Sequence, residues 1–152
     1  VAARHARKHA IVRTGWLFGV HGNNFVEAIR KQVRSGKNPL TVVNDQSGRP
    51  TYTPHLASAI LRIARHAFDS EGARGIYHYA DEVACTWYDF ACAIVEGIGA
   101  DVEVKTMSSE ELVRPAKRPA YSVLSTERYE RVTRARPESW RDGLREYLAL
   151  RA

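Results

Sequence analysis

Three times along this 152-residue chain, a short run of β-forming residues gives way to a polar or glycine-punctuated loop and then to an amphipathic helix. The first unit reads HAIVR, TGWLFGVHGNN, FVEAIRKQVRSG; the second LTVV, NDQSGRPTY, TPHLASAILRIARHAF; the third GIYHYA, DEVAC, TWYDFACAIVEGIG. This alternation predicts a layered α/β fold, because each helix carries one apolar stripe that only a neighbouring sheet or helix can cover.

Local signals place the elements. Strands are predicted at residues 10–14, 40–43 and 75–80, with a further edge strand at 102–106. In the first helix Phe25, Ala28, Ile29 and Val33 share one face and Gly36 is the stop. Thr53 caps the second, with Pro54 at the first helical position, and Leu56, Ile60, Ile63 and Ala67 form its packing stripe to about residue 68. Thr86 with Asp89 three residues on has the form of a capping box that opens the third helix, which Gly97 and Gly99 end. Residues 114–124, RPAKRPAYSVL, are punctuated by prolines and read as extended. Two helices close the chain, 126–132 and 137–150, the second lining up Trp140, Leu144, Tyr147 and Leu148. The strand at 10–14 has no obvious partner in the sequence, and only RHARKH, the form of a helix tail, precedes it. The chain is therefore expected to be the second part of a larger fold.

Composition narrows the class further. Hydrophobic residues at 44% and charged residues at 26% are ordinary for a globular protein, and the length suits one domain. No apolar run reaches the length of a membrane span, and no leader is expected. Cys85 and Cys92 match neither a zinc nor a redox spacing, so they read as free thiols of a cytoplasmic protein. The six histidines show no metal-ligand spacing. The net charge of +6 is unevenly laid out: residues 1–40 carry eight Lys or Arg against one acid, 41–113 five against eleven, and 114–152 ten against five. No helix-turn-helix or aromatic-interleaved basic stripe accompanies the basic ends, so a nucleic-acid partner is not expected. A diphosphate-sized anion needs only two or three of these cations.

Three segments carry candidate chemistry. In RTGWLFGVHGNNF, residues 13–25, a strand runs through a flexible loop to a helix N-terminus, where unpaired N–H groups and the helix dipole favour an anion. There Trp16 is either a core residue or a platform for a sugar or base, and Asn24 either a cap or a donor. The loop VVNDQSGRPTYTP, residues 42–54, holds far more hydrogen-bonding groups than a connection needs; it is either a generous turn or one wall of a site. In residues 114–124, Arg114, Lys117 and Arg118 sit on a proline-stiffened backbone suited to gripping phosphate, or form an exposed basic loop.

Taken together, RTGWLFG, HGNNFV, VVNDQSGRPTYTPHLA, GIYHYADE with TWYDFA, and AKRPAYSVL resemble, in this order, the dTDP-4-dehydrorhamnose reductase family of extended short-chain dehydrogenase/reductases. The resemblance covers about residues 10–148. It implies a Rossmann-type fold with a smaller substrate domain, of which residues 1–152 would be the C-terminal, mainly substrate-binding portion. The implied reaction is NADPH- or NADH-dependent reduction of the 4-keto group of dTDP-4-dehydro-L-rhamnose, yielding dTDP-L-rhamnose. The glycine-rich cofactor loop of the family is absent, and no tyrosine here has a lysine four residues on, so the catalytic residues are expected upstream of Val1 and this chain alone is expected to be inactive. Carried over by position, Trp16 would contact the deoxysugar, Gly15 and Leu17 would lie near the nicotinamide, Asn24 would face the diphosphate, Gln46 and Arg49 would flank the nucleotide, and Arg118 would pair with the diphosphate. The resemblance leaves Mg2+ and a homodimer open. His55 stands where the family commonly has aspartate. The alternative is a non-catalytic relative such as the methionine adenosyltransferase β subunit.

Overall fold

The computed structural model describes residues 9–69, 74–112, 116 and 118–151, the side chains of 68 and 69 excepted. Two lobes are built around separate apolar clusters. In the first lobe, parallel strands β1 (Ala10–Arg13) and β6 (Gly75–His78) pair in the register Ala10↔Gly75 to Arg13↔His78. Helices α2 (Thr53–Asp69) and α4 (Glu127–Thr133) pack on this pair. Ala59, Ile63, Tyr77, Tyr79 and Tyr129 form the core between them. The strand expected to lack a partner in the sequence thus finds one 65 residues on, with the helix at Phe25–Arg34, the strand at Leu40–Val43 and α2 all lying in the crossover between these parallel neighbours.

The second lobe pairs β3 (Leu40–Val43) in parallel with β8 (Val104–Met107) and packs α3 (Trp87–Gly97) on them, with α1 (Phe25–Arg34) and α5 (Trp140–Ala149) against α3. Phe18, Val26, Ile29, Leu40, Tyr52, Phe90, Ile94, Trp140, Leu144 and Tyr147 are buried together there. Phe18 at the centre meets Tyr52, Phe90 and Tyr147 at ring-centroid distances of 5.4, 5.5 and 6.0 Å, in the offset and edge-on arrangements that ring quadrupoles favour.

Two-residue strands complete the framework: β2 (Leu17–Phe18) runs parallel to β5 (Thr51–Tyr52), and β4 (Ser47–Gly48) antiparallel to β7 (Cys85–Thr86). They are too short to leave a periodic signal in sequence. The expected strand at 102–106 forms at Val104–Met107, its register fixed by Leu40↔Val104. The helix expected from 137 begins at Trp140, because Ser139 is its N-cap. The Thr86–Asp89 capping box is present with both reciprocal bonds. The helix stripes rotate slightly from expectation: in α1 it is Val26 and Ile29 that are buried while Ala28 is exposed, and in α2 Ile60 is exposed while Ala59 is buried. Arg114 and Lys117 of the expected basic segment lie outside the described residues.

Candidate functional site

The loop of residues 44–52 leaves β3 in one lobe and enters α2 in the other, and its two ends are treated differently. The outer end is held between two neighbours. Asn44 Oδ1 accepts from Thr86 Oγ1 at 2.8 Å, and Asp45 Oδ2 accepts from the Ser109 amide and hydroxyl at 2.9 and 2.8 Å. The Ser109 amide, followed by its hydroxyl, holds the Asp45 carboxyl below the usual carboxylate range. Ser47 pairs with Thr86 on one side and bridges to Tyr121 on the other, its amide donating to Ala120 O at 2.7 Å and its carbonyl accepting from the Ser122 amide at 2.9 Å. This second pairing draws the chain segment that carries Arg118 alongside the loop that carries Gln46.

The inner end of the loop is a buried fastening. Arg49 Nε donates to the Asp81 carbonyl at 2.5 Å, and its Nη1 reaches Leu124 O and Thr126 Oγ1 at 3.3 and 3.5 Å. Asp81, fully buried, accepts the Tyr52 amide at 3.0 Å, and His55 Nδ1 lies 2.9 Å from the same Oδ2. His55 Nε2 faces Glu138 at 3.5 Å. Removal from water pushes the Asp81 carboxyl above its ordinary range, outweighing the Tyr52 N–H and the His55 ring that oppose the shift.

Trp16 sits at the end of β1 with φ of +49°, a left-handed conformation that costs a non-glycine residue about 1–2 kcal/mol. Its carbonyl accepts the Thr51 amide at 3.1 Å, which starts the β2–β5 pairing. Its indole lies flat on Trp87, with ring centroids 3.5 Å apart and planes 7° from parallel. Phe25 abuts the Trp87 ring at 4.6 Å. Gly48 passes directly beneath the Trp16 indole, where a Cβ would fall inside van der Waals contact.

Two adjoining cavities open here, and they share Gln46, Trp87 and Arg118. The larger, about 520 Å³, runs between the N-terminus of α1 at Asn23 and Asn24 and the ends of β3 and β8 at Val43 and Met107. The smaller, about 350 Å³, is lined by Thr14, Gly15, Trp16 and Ser122 at the end of β1. Both therefore lie at the carboxyl ends of parallel strands, where open α/β folds bind their ligands. Thr14 Oγ1, buried at the smaller cavity, has no hydrogen-bond partner among the described residues. Gln46 is buried but its amide and the exposed Arg118 guanidinium make no hydrogen bond with any described residue.

Of the residues singled out from sequence, Gly15, Trp16, Asn24, Gln46 and Arg118 line these cavities. Asn24 also caps α1, its Oδ1 accepting the Glu27 amide at 3.1 Å while its Nδ2 donates to Gly19 O at 3.0 Å. Leu17 lies in β2, 43% exposed, beside the smaller cavity's Trp16. Arg49 lines neither cavity. Sequence reasoning missed Trp87, because at the first turn of a helix with an apolar pattern it looks like a core residue. It also missed Thr14 and the His55–Asp81 pair. Among the described residues no three His, Cys, Asp or Glu side chains gather as a metal set, so none of them is assigned to Mg2+. No helix among the described residues is long and apolar enough to cross a membrane.

Comparison with known proteins places this geometry. The family model described as the RmlD substrate binding domain matches residues 1–152. The chain belongs to that family. It is 42% identical over 142 residues to the spore coat polysaccharide biosynthesis protein SpsK of Bacillus subtilis (strain 168), covering 93% of this chain and 47% of that protein. The crystal structure of a dTDP-4-dehydrorhamnose reductase from Clostridium acetobutylicum ATCC 824 superposes with a TM-score of 0.84 at 39% identity, over 93% of this chain and 48% of that one. The reductase of the same name from Bacillus anthracis str. Ames, solved in complex with NADP, gives 0.83 at 32% identity, over 93% and 48%. The fold is thus that of the extended short-chain dehydrogenase/reductases, and this RmlD-family chain spans about half the length of the relatives it matches.

Proposed function

We propose that this chain is the substrate-binding half of a cytoplasmic NAD(P)H-dependent reductase of dTDP-4-keto sugars, and that the two joined cavities hold the nucleotide-sugar. The observation that carries this reading is the wall they share. Gln46 and Arg118, with no hydrogen bond to any described residue, share that wall with Trp87 at the carboxyl ends of parallel strands. A volume of about 520 Å³ joined to one of about 350 Å³ suits a ligand with two bulky ends and a charged middle. Arg118, reachable from both cavities, would take the diphosphate; Asn24, lining the larger cavity at the start of α1, would face it where the helix dipole favours negative charge.

The sugar would then lie in the smaller cavity, against Trp16 and within reach of the Thr14 hydroxyl. Gly15 and Leu17 would border the nicotinamide: a Cβ at Gly15 meets nothing within 4 Å, and Leu17 is partly open to solvent, so this rim has room for a flat ring. When bound, the cofactor supplies the hydride. What these residues contribute is orientation, since grip on the remote nucleotide holds the keto carbon in place. Arg49 keeps the loop in shape rather than touching ligand. The proton donor and most of the cofactor site belong to the other half, so the chain alone turns nothing over. That half has somewhere to dock: β1 pairs only with β6 among the described strands, and Ile60, Leu61 and Ile76 are exposed nearby. An Mg2+ ion and a homodimer, left open by the resemblance, are not required by this reading.

Calorimetric titration of the chain with dTDP-rhamnose tests it. Saturable binding is expected, abolished or weakened about tenfold by Arg118→Ala, with a UDP-hexose binding more weakly. Heat no greater than that of dilution would sink the reading.

A further inference from the structure

The Trp16–Trp87 stack has a property that a permanent wall would not need. Two indoles with centroids 3.5 Å apart and planes 7° from parallel overlap face to face, and this sandwich sets one negative ring face against another. Aromatic pairs prefer offset or edge-on geometries with more widely separated centroids, as all three Phe18 contacts in the core of this chain show. Neither indole is deeply buried. Trp16 is fixed from behind by Gly48 and from its own backbone, which holds the left-handed conformation and the Thr51 hydrogen bond. Trp87, on the first turn of α3, packs against the second lobe's core, yet its indole N–H makes no hydrogen bond among the described residues, and among the described aromatic rings Phe25 alone meets it besides Trp16. Trp87 borders both cavities, whereas Trp16 borders only the smaller. It therefore stands where a ligand spanning the two would have to pass.

We propose that Trp87 is a movable cover on Trp16: in the ligand-free chain it occupies the indole face that the sugar takes on binding, and it swings aside to clear the passage between the two cavities. The inference rests on the nucleotide-sugar reading of the preceding subsection. A sugar ring offers polarised C–H groups to the negative indole face, so exchanging indole for sugar relieves the sandwich while keeping Trp16 covered. The cover then favours ligands that carry such a ring beyond the diphosphate over the bare nucleotide, because only they replace the contact that opening breaks.

Fluorine NMR of the chain labelled with fluorotryptophan, read beside calorimetry, tests this. The three tryptophans give three resonances, assigned by single Trp→Phe variants. Without ligand, Trp87→Phe is expected to move the Trp16 resonance, because each ring lies in the other's ring current. With dTDP-rhamnose saturating, Trp16 should resonate at the same position in wild type and in Trp87→Phe, and Trp140 should stay unmoved throughout. Trp87→Ala should bind dTDP-rhamnose about two- to tenfold more tightly than wild type, since no stack has to open. A Trp16 resonance that still senses Trp87 at saturation, or weaker binding by both Trp87→Ala and Trp87→Phe, would overturn the cover and leave the site reading standing. No calorimetric binding by wild type would overturn both.

Discussion

Arg49 and Arg118 both look from sequence like cations awaiting a nucleotide, and the fold gives them opposite surroundings. Arg49 points its guanidinium at the carbonyls of Asp81 and Leu124 and the hydroxyl of Thr126, drawing the loop, the end of the first lobe's sheet and the start of α4 together. Arg118 is exposed, borders both cavities, and has no such partner among the described residues. The difference teaches how one polar loop can serve two ends. Its inner half uses hydrogen-bonding groups to fasten the crossing between lobes. Its outer half leaves Gln46 unengaged at the cavity wall, because Asn44, Asp45 and Ser47 already satisfy the backbone on either side.

The contrast is most exposed to failure at Asp81. Asp81→Ala leaves the buried Tyr52 amide and the His55 ring without their acceptor, and is expected to destabilise the chain by about 3 kcal/mol in urea denaturation. A loss below about 1 kcal/mol would mean that the inner end is not a fastening. Arg49→Ala comes next, at about 2 kcal/mol, since it removes charged donors from partly buried carbonyls. If Arg49 only fastens, dTDP-rhamnose affinity of the folded variant stays within about twofold of wild type. A tenfold loss with stability intact would instead make it a ligand residue.

The outer end predicts the mirror image. Gly48→Ala forces the Trp16 indole off its seat and should cost about 1–2 kcal/mol while weakening ligand binding, an overpacking cost paired with a displaced platform. Arg118→Ala should leave the urea midpoint nearly unmoved, within about 0.5 kcal/mol, yet lower affinity about tenfold. Stability loss in Arg118→Ala comparable with that of Arg49→Ala would erase the distinction between the two arginines.

What sequence reveals of this arrangement follows the range of each interaction. The α/β class, the Thr86–Asp89 box, the Asn24 cap and the Trp140, Leu144 and Tyr147 stripe depend on residues within one or two turns, and all are present. Gln46 and Arg118 were legible as polar groups in excess of what a turn uses. The partners of Arg49 were not, because they lie 32 and 75 residues away, and two donors in a loop look alike until the chain folds. Trp87 hid in the same way. Its helix position is ordinary, and only the return of β1's end to that spot, 71 residues upstream, makes it part of a site. His55 stood at a helix start with nothing nearby to suggest a buried carboxylate.

The smallest expected effect is a pH dependence at the inner end. Removal from water holds the Asp81 carboxyl above the ordinary carboxylate range, so the folded chain keeps this proton more readily than the unfolded chain. Stability should therefore fall as pH rises from the ordinary carboxylate value to the raised folded one, and be level beyond it. Glu27 tilts the other way: hydrogen bonding from Tyr147, with Arg30 beside it, lowers its carboxyl, so its contribution is present above the ordinary range and disappears as pH falls through the lowered folded value. Asp81→Asn keeps an acceptor for the Tyr52 amide but cannot ionise. Its stability curve should match the wild type on the acid side, where Glu27 acts, and lose the decline above it. Parallel curves for the two chains across the whole range would show that Asp81 ionises in the fold as easily as outside it. In that case the Tyr52 amide and the His55 ring would offset the removal of Asp81 from water in full.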